Sequence, residues 1–168
     1  MKGTGTETTV VTERVQGRIF PSEISAGIDI DAPAALVWQI LMDFDQYSQW
    51  NAFCPRVATD FQLGSPVDMQ VRLVPGKKPM RQVEYLNMVE PGHRFAWGYA
   101  MGGPLILQAN RYQTVTDVGD GRSRYDTTDK FCGLLVPLMN MLYARHIQQG
   151  FEDTARGLKA RAESLAGA

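Results

Sequence analysis

The residues best placed to do chemistry are an arginine and an aspartate eighteen positions apart, Arg111 and Asp129. Gly119-Asp120-Gly121 sits between two alternating stretches, residues 105–118 and 122–132, and reads as a tight hairpin. With a three-residue loop Val118 faces Arg122. Counting back sets Val115 opposite Tyr125, Gln113 opposite Thr127 and Arg111 opposite Asp129. Opposed residues point to the same face of a sheet. Tyr125 and Phe131 share the parity of Asp129, so that face is expected to be the inner one. A guanidinium and a carboxylate there can pair through two hydrogen bonds, which makes partial burial tolerable. Two roles fit: an ion pair that fixes the sheet's register, or an Arg111 that also anchors a carbonyl, enolate or carboxylate of a ligand. A two-residue loop shifts the register by one and separates the pair.

Other catalytic patterns are not legible. His93 follows Pro91-Gly92 at a strand start and reads as solvated; His146 lies three residues after Tyr143 on the last helix. His146 is a candidate to look into a cavity, with a half-exposed helix histidine as the plainer reading. Glu84 and Asp129 are the carboxylates expected on strands near a cavity, and for Glu84 a solvated position is the better reading. No serine sits in a nucleophile elbow. No His, Cys or carboxylate cluster has metal spacing, and no glycine-rich loop joins a strand to a helix. The expectation is therefore no metal and no nucleotide cofactor.

The aromatic residues say more. Phe95, Trp97 and Tyr99 repeat with period two and share a strand face. Trp50, Phe53, Tyr85, Tyr125, Phe131 and Tyr143 can converge on the same side. With Met69, Val71, Met139, His146, Arg111 and Asp129 they make up the expected ligand-binding set. Taken singly, each aromatic reads as core. As a group they suit a cavity, because Tyr and Trp keep a polar tip that needs a partner when buried. Such a cavity suits an apolar ligand with a few oxygens.

The elements that position these residues follow an order. From Ser22, Ile24, Ala26, Ile28 and Ile30 alternate with polar or small residues, the period of a half-buried strand. Asp31 is a natural N-cap with Pro33 near the first turn. Val37, Ile40 and Leu41 fall at helical spacing, and residues 43–50 read as a second short helix. Val67, Met69, Val71 and Leu73 alternate; Pro75-Gly76, Glu90-Pro91-Gly92 and Gly102-Gly103-Pro104 break the strands that follow. Strands joined by short turns are antiparallel. Leu135, Leu138, Leu142, Ile147, Phe151, Leu158 and Leu165 then form a broad helical stripe, and Gly150 within it allows a close approach or a bend. The expectation is an α+β protein: a curved antiparallel sheet of about seven strands wrapped around a long C-terminal helix, with two short helices after the first strand.

Length and charge narrow the function. A chain of 168 residues favours one domain, expected over residues 21–168 behind a partly mobile arm at 1–20. Net charge is −1, so nothing steers the chain as a whole to nucleic acid or an anionic membrane. Lys77-Lys78, the one adjacent lysine pair, reads as a loop. The longest apolar run is interrupted by Pro137 and Asn140 and is too short to span a bilayer. No signal pattern opens the chain, so a cytoplasmic location is the default. Cys54 and Cys132 are far apart and read as reduced, buried thiols.

Two stretches resemble a known superfamily. Ile28-Asp29-Ile30-Asp31-Ala32-Pro33, Val37-Trp38, Leu41-Met42-Asp43-Phe44, Tyr47 and Trp50-Asn51-Ala52-Phe53 look like the start of a START-like domain, also called helix-grip or SRPBCC. The run from Asp129 to Pro137 looks like the junction into its closing helix. The similar subgroup is the polyketide cyclase/dehydrase-like proteins. Ala52 stands where the family often has Pro, and Asp129 where it often has Glu. The resemblance covers roughly residues 22–165 and implies the helix-grip fold with a pocket between sheet and helix. It leaves function open, because this fold hosts lipid carriers, receptors and cyclases. Three readings stand. One is a binding protein for a hydrophobic or aromatic small molecule of lipid, isoprenoid, quinone or polyketide type. A second is a cyclase or dehydratase that holds a flexible chain in a reactive conformation in the same cavity. A third is a protein-interaction module, which a large exposed apolar patch would favour; the sequence shows none, and names no protein partner.

Overall fold

The computed structural model describes residues 19–103 and 105–167. The expected arm at 1–20 lies outside them, except for Ile19 and Phe20. Strand β1 spans Ser22–Ile30. Helix α1 spans Ala34–Met42 and is followed by a 3-10 helix over Phe44–Gln49. Six strands come next: β2 Arg56–Ala58, β3 Pro66–Val71, β4 Met80–Glu90, β5 Arg94–Met101, β6 Leu107–Gly119 and β7 Arg122–Cys132. Helix α2, Val136–Ala166, closes the chain. All seven strands form one antiparallel sheet in the order β1-β7-β6-β5-β4-β3-β2. This is the helix-grip architecture, with α2 packed along β1, β7 and α1. No described helix is long and apolar enough to cross a membrane.

The sheet has two ends. At one, α1 and the β6–β7 hairpin close the fold, and the second half of α2 packs down. Ile147, Phe151, Ala155, Leu158 and Ala162 are buried there at helical spacing. Gly157 makes this approach possible, because a methyl at its position overlaps the Trp50 carbonyl. A methyl at Gly150 overlaps the Phe53 ring, so Gly150 serves close approach. At the other end the connections β3–β4 and β5–β6 meet the start of α2.

Several local expectations need correction. Asp31 does not cap α1: Pro33 occupies that position without a side-chain cap, and the Asp31 amide donates to Glu163 Oε1 at 2.9 Å. The residues before α1 are tied to the far end of α2 instead. The β6–β7 loop has two residues, Asp120 and Gly121, both at positive φ (53° and 68°), and Gly119 pairs with Arg122. Such a turn matches the right-handed twist of the flanking strands. Val118 does not face Arg122. It is a bulge that restores the register, so Val115 still faces Tyr125 and Arg111 faces Asp129. The three-residue strand β2 has no signal in the sequence pattern. Cys54 and Cys132 are buried and free.

Candidate functional site

Strand register builds the site. Trp97 of β5 pairs with Arg111 of β6, and Arg111 with Asp129 of β7, which makes one row across the inner face. The adjacent inner row is Tyr99, Ala109 and Phe131. The first half of α2 passes over these rows without touching down. Between sheet and helix is an open-ended cavity of about 370 Å³. Its walls are mainly Leu, Met and aromatic side chains: Met69, Val71, Leu73, Met101 and Leu107 from the sheet side, Leu135, Leu138, Met139, Leu142, Tyr143, Ile147 and Phe151 from the helix side.

One patch of this wall is polar. Arg111, 7 % exposed, donates from Nε to Thr127 Oγ1 at 3.0 Å. Its guanidinium carbon stacks 4.2 Å from the centre of the Phe151 ring. It therefore reaches diagonally to Thr127 on β7, and the expected two-bond pair with Asp129 does not form. Arg111 Nη2 and Asp129 Oδ1 are both buried without a hydrogen-bond partner, as are Trp97 Nε1 and Glu84 Oε2. All four residues line the cavity. Burial without a partner costs of order 1–3 kcal/mol for such a group and more when it is charged. Four such atoms in one patch make a site that a hydrogen-bonding partner would stabilise.

Two carboxyls in this patch hold their protons unusually well. Burial pushes Asp129 up to about 7, against the pull of Arg111 and of the Asn110 backbone. Burial and the neighbouring Asp129 charge push Glu84 well above the usual carboxylate range, opposed by Arg111 and by the Gln82 amide that donates to Oε1. Two carboxyls close together with one guanidinium favour keeping a proton on the pair. Tyr99 is raised to about 12, by burial first and then by the two carboxyls. Near neutral pH the patch offers two fixed donors, Trp97 Nε1 and Arg111 Nη2, and a carboxyl pair able to accept, donate or move a proton. Among the described residues no group of three His, Cys, Asp or Glu is arranged to hold a metal.

Of the expected ligand-binding set, Phe53, Met69, Val71, Trp97, Tyr99, Arg111, Asp129, Phe131, Met139 and Tyr143 line the cavity. Five residues do not. Tyr85 points out of the sheet and is 54 % exposed, because its neighbour Glu84 takes the inner side. Phe95 is sealed behind Trp97, their ring centres 5.0 Å apart, among Trp38 and Phe61. Tyr125 is core and donates to Gln113 Oε1 at 2.8 Å. Trp50 packs on Tyr47 at the closed end. His146 is half-buried on another flank of α2, in a shallow groove with Arg72 and Gln149.

Glu84, expected on a strand near a cavity but read as solvated, is buried and lines the cavity. In β4 one parity holds Gln82, Glu84, Leu86 and Met88 and the other Val83, Tyr85, Asn87 and Val89. Apolarity selects the second. The register shifts between Leu86 and Met88, so Leu86 and Val89 face the neighbours Trp97 and Phe95 on the inner side. The bulge blurs both alternations. The Phe151 signal, by contrast, is plain in the α2 stripe.

Known proteins are similar to the chain in this architecture. The ZhuI aromatase/cyclase from Streptomyces sp. R1128 matches with a TM-score of 0.66 at 15 % identity, over 85 % of this chain and 94 % of that one. A START superfamily protein from Mycobacterium smegmatis matches with a TM-score of 0.65 at 15 % identity, over 85 % and 98 %. A norcoclaurine synthase point mutant from Thalictrum flavum matches with a TM-score of 0.65 at 14 % identity, over 86 % and 96 %. At these identities the likeness carries the fold alone. Comparison with the curated proteins finds no match. A family model described as polyketide cyclase / dehydrase and lipid transport matches residues 21–163, nearly the whole described fold, and the chain belongs to that family.

Proposed function

We propose that this protein binds, in the cytoplasm, a hydrophobic small molecule of lipid, isoprenoid, quinone or aromatic polyketide type, with its oxygen-bearing end on the polar patch. The observation that carries this reading is the set of four unpartnered buried polar atoms in an otherwise apolar cavity. Trp97 Nε1 and Arg111 Nη2 suit one acceptor oxygen, and Asp129 with Glu84 suits a hydroxyl. The volume falls within the range of small-molecule pockets, roughly 300–1,000 Å³. Native mass spectrometry of protein purified from its own host is expected to show a retained organic ligand. Arg111→Met is expected to weaken binding of that ligand by at least about tenfold, the value of one charge-assisted hydrogen bond. Unchanged affinity with a lowered melting temperature makes Arg111 a structural residue and sinks its role in this reading.

A second reading, an enzyme of cyclase or dehydratase type, rests on a specific feature. A carboxyl near 7 beside a second protonated carboxyl is suited to take a proton from a bound molecule and return one to it. Under that reading Asp129→Asn keeps ligand binding and removes turnover of the same compound.

A further inference from the structure

We propose that the open end of the sheet docks on the surface of a lipid bilayer rich in anionic headgroups, with the cavity mouth facing the lipid. The inference concerns the exterior and stands whatever the cavity holds.

Two features of that end carry it. The first is exposed apolar surface gathered around one opening. Met80 at the start of β4 is 51 % exposed, Met101 at the end of β5 49 %, and Leu138, Met141 and Leu142 on the first turns of α2 50 %, 74 % and 50 %. Met80, Met101, Leu138 and Leu142 also line the cavity, so each is half wall and half exterior. Exposed apolar side chains scattered singly need no explanation, but a cluster around a cavity mouth marks a contact surface.

The second feature is charge. The three segments that carry this rim, residues 71–83, 100–107 and 133–151, contain no Asp or Glu. They contain Arg72, Lys77, Lys78, Arg81 and Arg145, all exposed; Arg81 pairs with Asp68 of β3, and the other four form no ion pair among the described residues. At the closed end three arginines are matched: Arg94 with Glu90, Arg122 with Asp120, Arg124 with Asp29 and Asp126. In a chain of net charge −1, Arg72, Lys77, Lys78 and Arg145 thus lie in acid-free segments beside the exposed apolar rim. Apolar side chains flanked by Lys and Arg are the chemistry that binds an anionic bilayer surface. A protein seated on the same rim shuts the cavity. A bilayer covers the rim and leaves the mouth open to molecules that partition into lipid.

The test uses the full chain and extruded vesicles of phosphatidylcholine, with or without phosphatidylglycerol, in a flotation assay. Binding is expected with phosphatidylglycerol, weak without it, and reduced by added salt. Lys77→Glu with Lys78→Glu is expected to weaken it by at least about tenfold, since each basic residue at the surface counts for about a factor of five. Met141→Glu is expected to weaken it while leaving the melting temperature unchanged, because Met141 is the most exposed residue of the rim. Arg122→Glu, at the closed end, is expected to leave vesicle binding as it is. Absence of flotation with either vesicle overturns the proposal. So does flotation that Met141→Glu and the lysine reversals do not alter. A dimer in sedimentation that Met141→Glu dissociates, with no flotation, assigns the rim to a second copy and overturns it as well.

Discussion

Both halves of α2 carry an apolar stripe, and they do opposite things with it. From Ile147 onward the helix buries a residue at nearly every turn, down to Ala162, against β1, β7, α1 and the loop after the 3-10 helix. Before Ile147 only Val136 is buried, and Leu138, Met141 and Leu142 are half-exposed or more. The difference is what lies beneath. Under the second half are Gly157 against the Trp50 carbonyl, Thr154 donating to Asn51 Oδ1 at 3.2 Å, and Phe151 edge-on to Phe53. Under the first half is the cavity. One continuous helix therefore holds a fold together at one end and roofs the cavity at the other.

The largest break of that comparison is Phe151→Ala. Phe151 is 1 % exposed and sits where the halves meet, against Phe53 and the Arg111 guanidinium. Its removal is expected to cost about 3–5 kcal/mol of stability, the range for deleting a buried aromatic side chain. Urea denaturation with an unchanged m-value measures it. A loss below about 1 kcal/mol means that the cavity reaches further toward the closed end than the described packing allows.

Much of this architecture is legible in the sequence, and what is not has local causes. The alternation of β1, the β3 pattern Val67, Met69 and Val71, and the turn dipeptides mark the sheet because each strand packs one face on a core. The α2 stripe marks a helix that packs. It cannot mark how much of the helix packs, because Leu138 and Leu142 are as apolar as Leu158, and only the position of the sheet tells a roof from a core. The opposition of Arg111 and Asp129 follows from counting, although two errors cancel in it. The loop is one residue shorter than expected, and the Val118 bulge restores the missing step. Side-chain direction is not legible: Arg111 has Thr127 and Phe151 within reach and bonds them in place of the aspartate. Glu84 escapes because the β4 bulge breaks the parity on which any strand reading depends.

The polar patch sharpens the comparison through pH. Asp129 ionises near 3.8 in an unfolded chain and is pushed up to about 7 by burial in the native one. Between those values the folded state holds a proton that the unfolded state has released. Stability from this group is therefore highest below about pH 4, falls as pH rises toward about 7, and stays low above it. The slope is at most about 1.4 kcal/mol per pH unit. Asp129→Asn removes this group's share of the dependence and leaves that of the buried Glu84. The stability of the wild type minus that of the variant, followed by urea denaturation across this window, is expected to decline as pH rises. A difference independent of pH means that solvent reaches Asp129 freely and that the cavity floor is wet.

The smallest expected effect is the most discriminating. Leu138→Gln alters a residue on the same apolar stripe as Phe151, in the same helix, at a position 50 % exposed. Gln is nearly as good a helix former as Leu, so backbone propensity changes little. The buried part of the side chain faces the cavity, where no close-packed neighbours are lost. Stability is expected to change by no more than about 0.5 kcal/mol, as for a surface position. A loss of 2 kcal/mol or more, the scale of a core substitution, shows that something covers this half of α2 in solution and that the roof is a packed interface. The stability measurement alone separates those two descriptions, because the apolarity of residue 138 is the same in both.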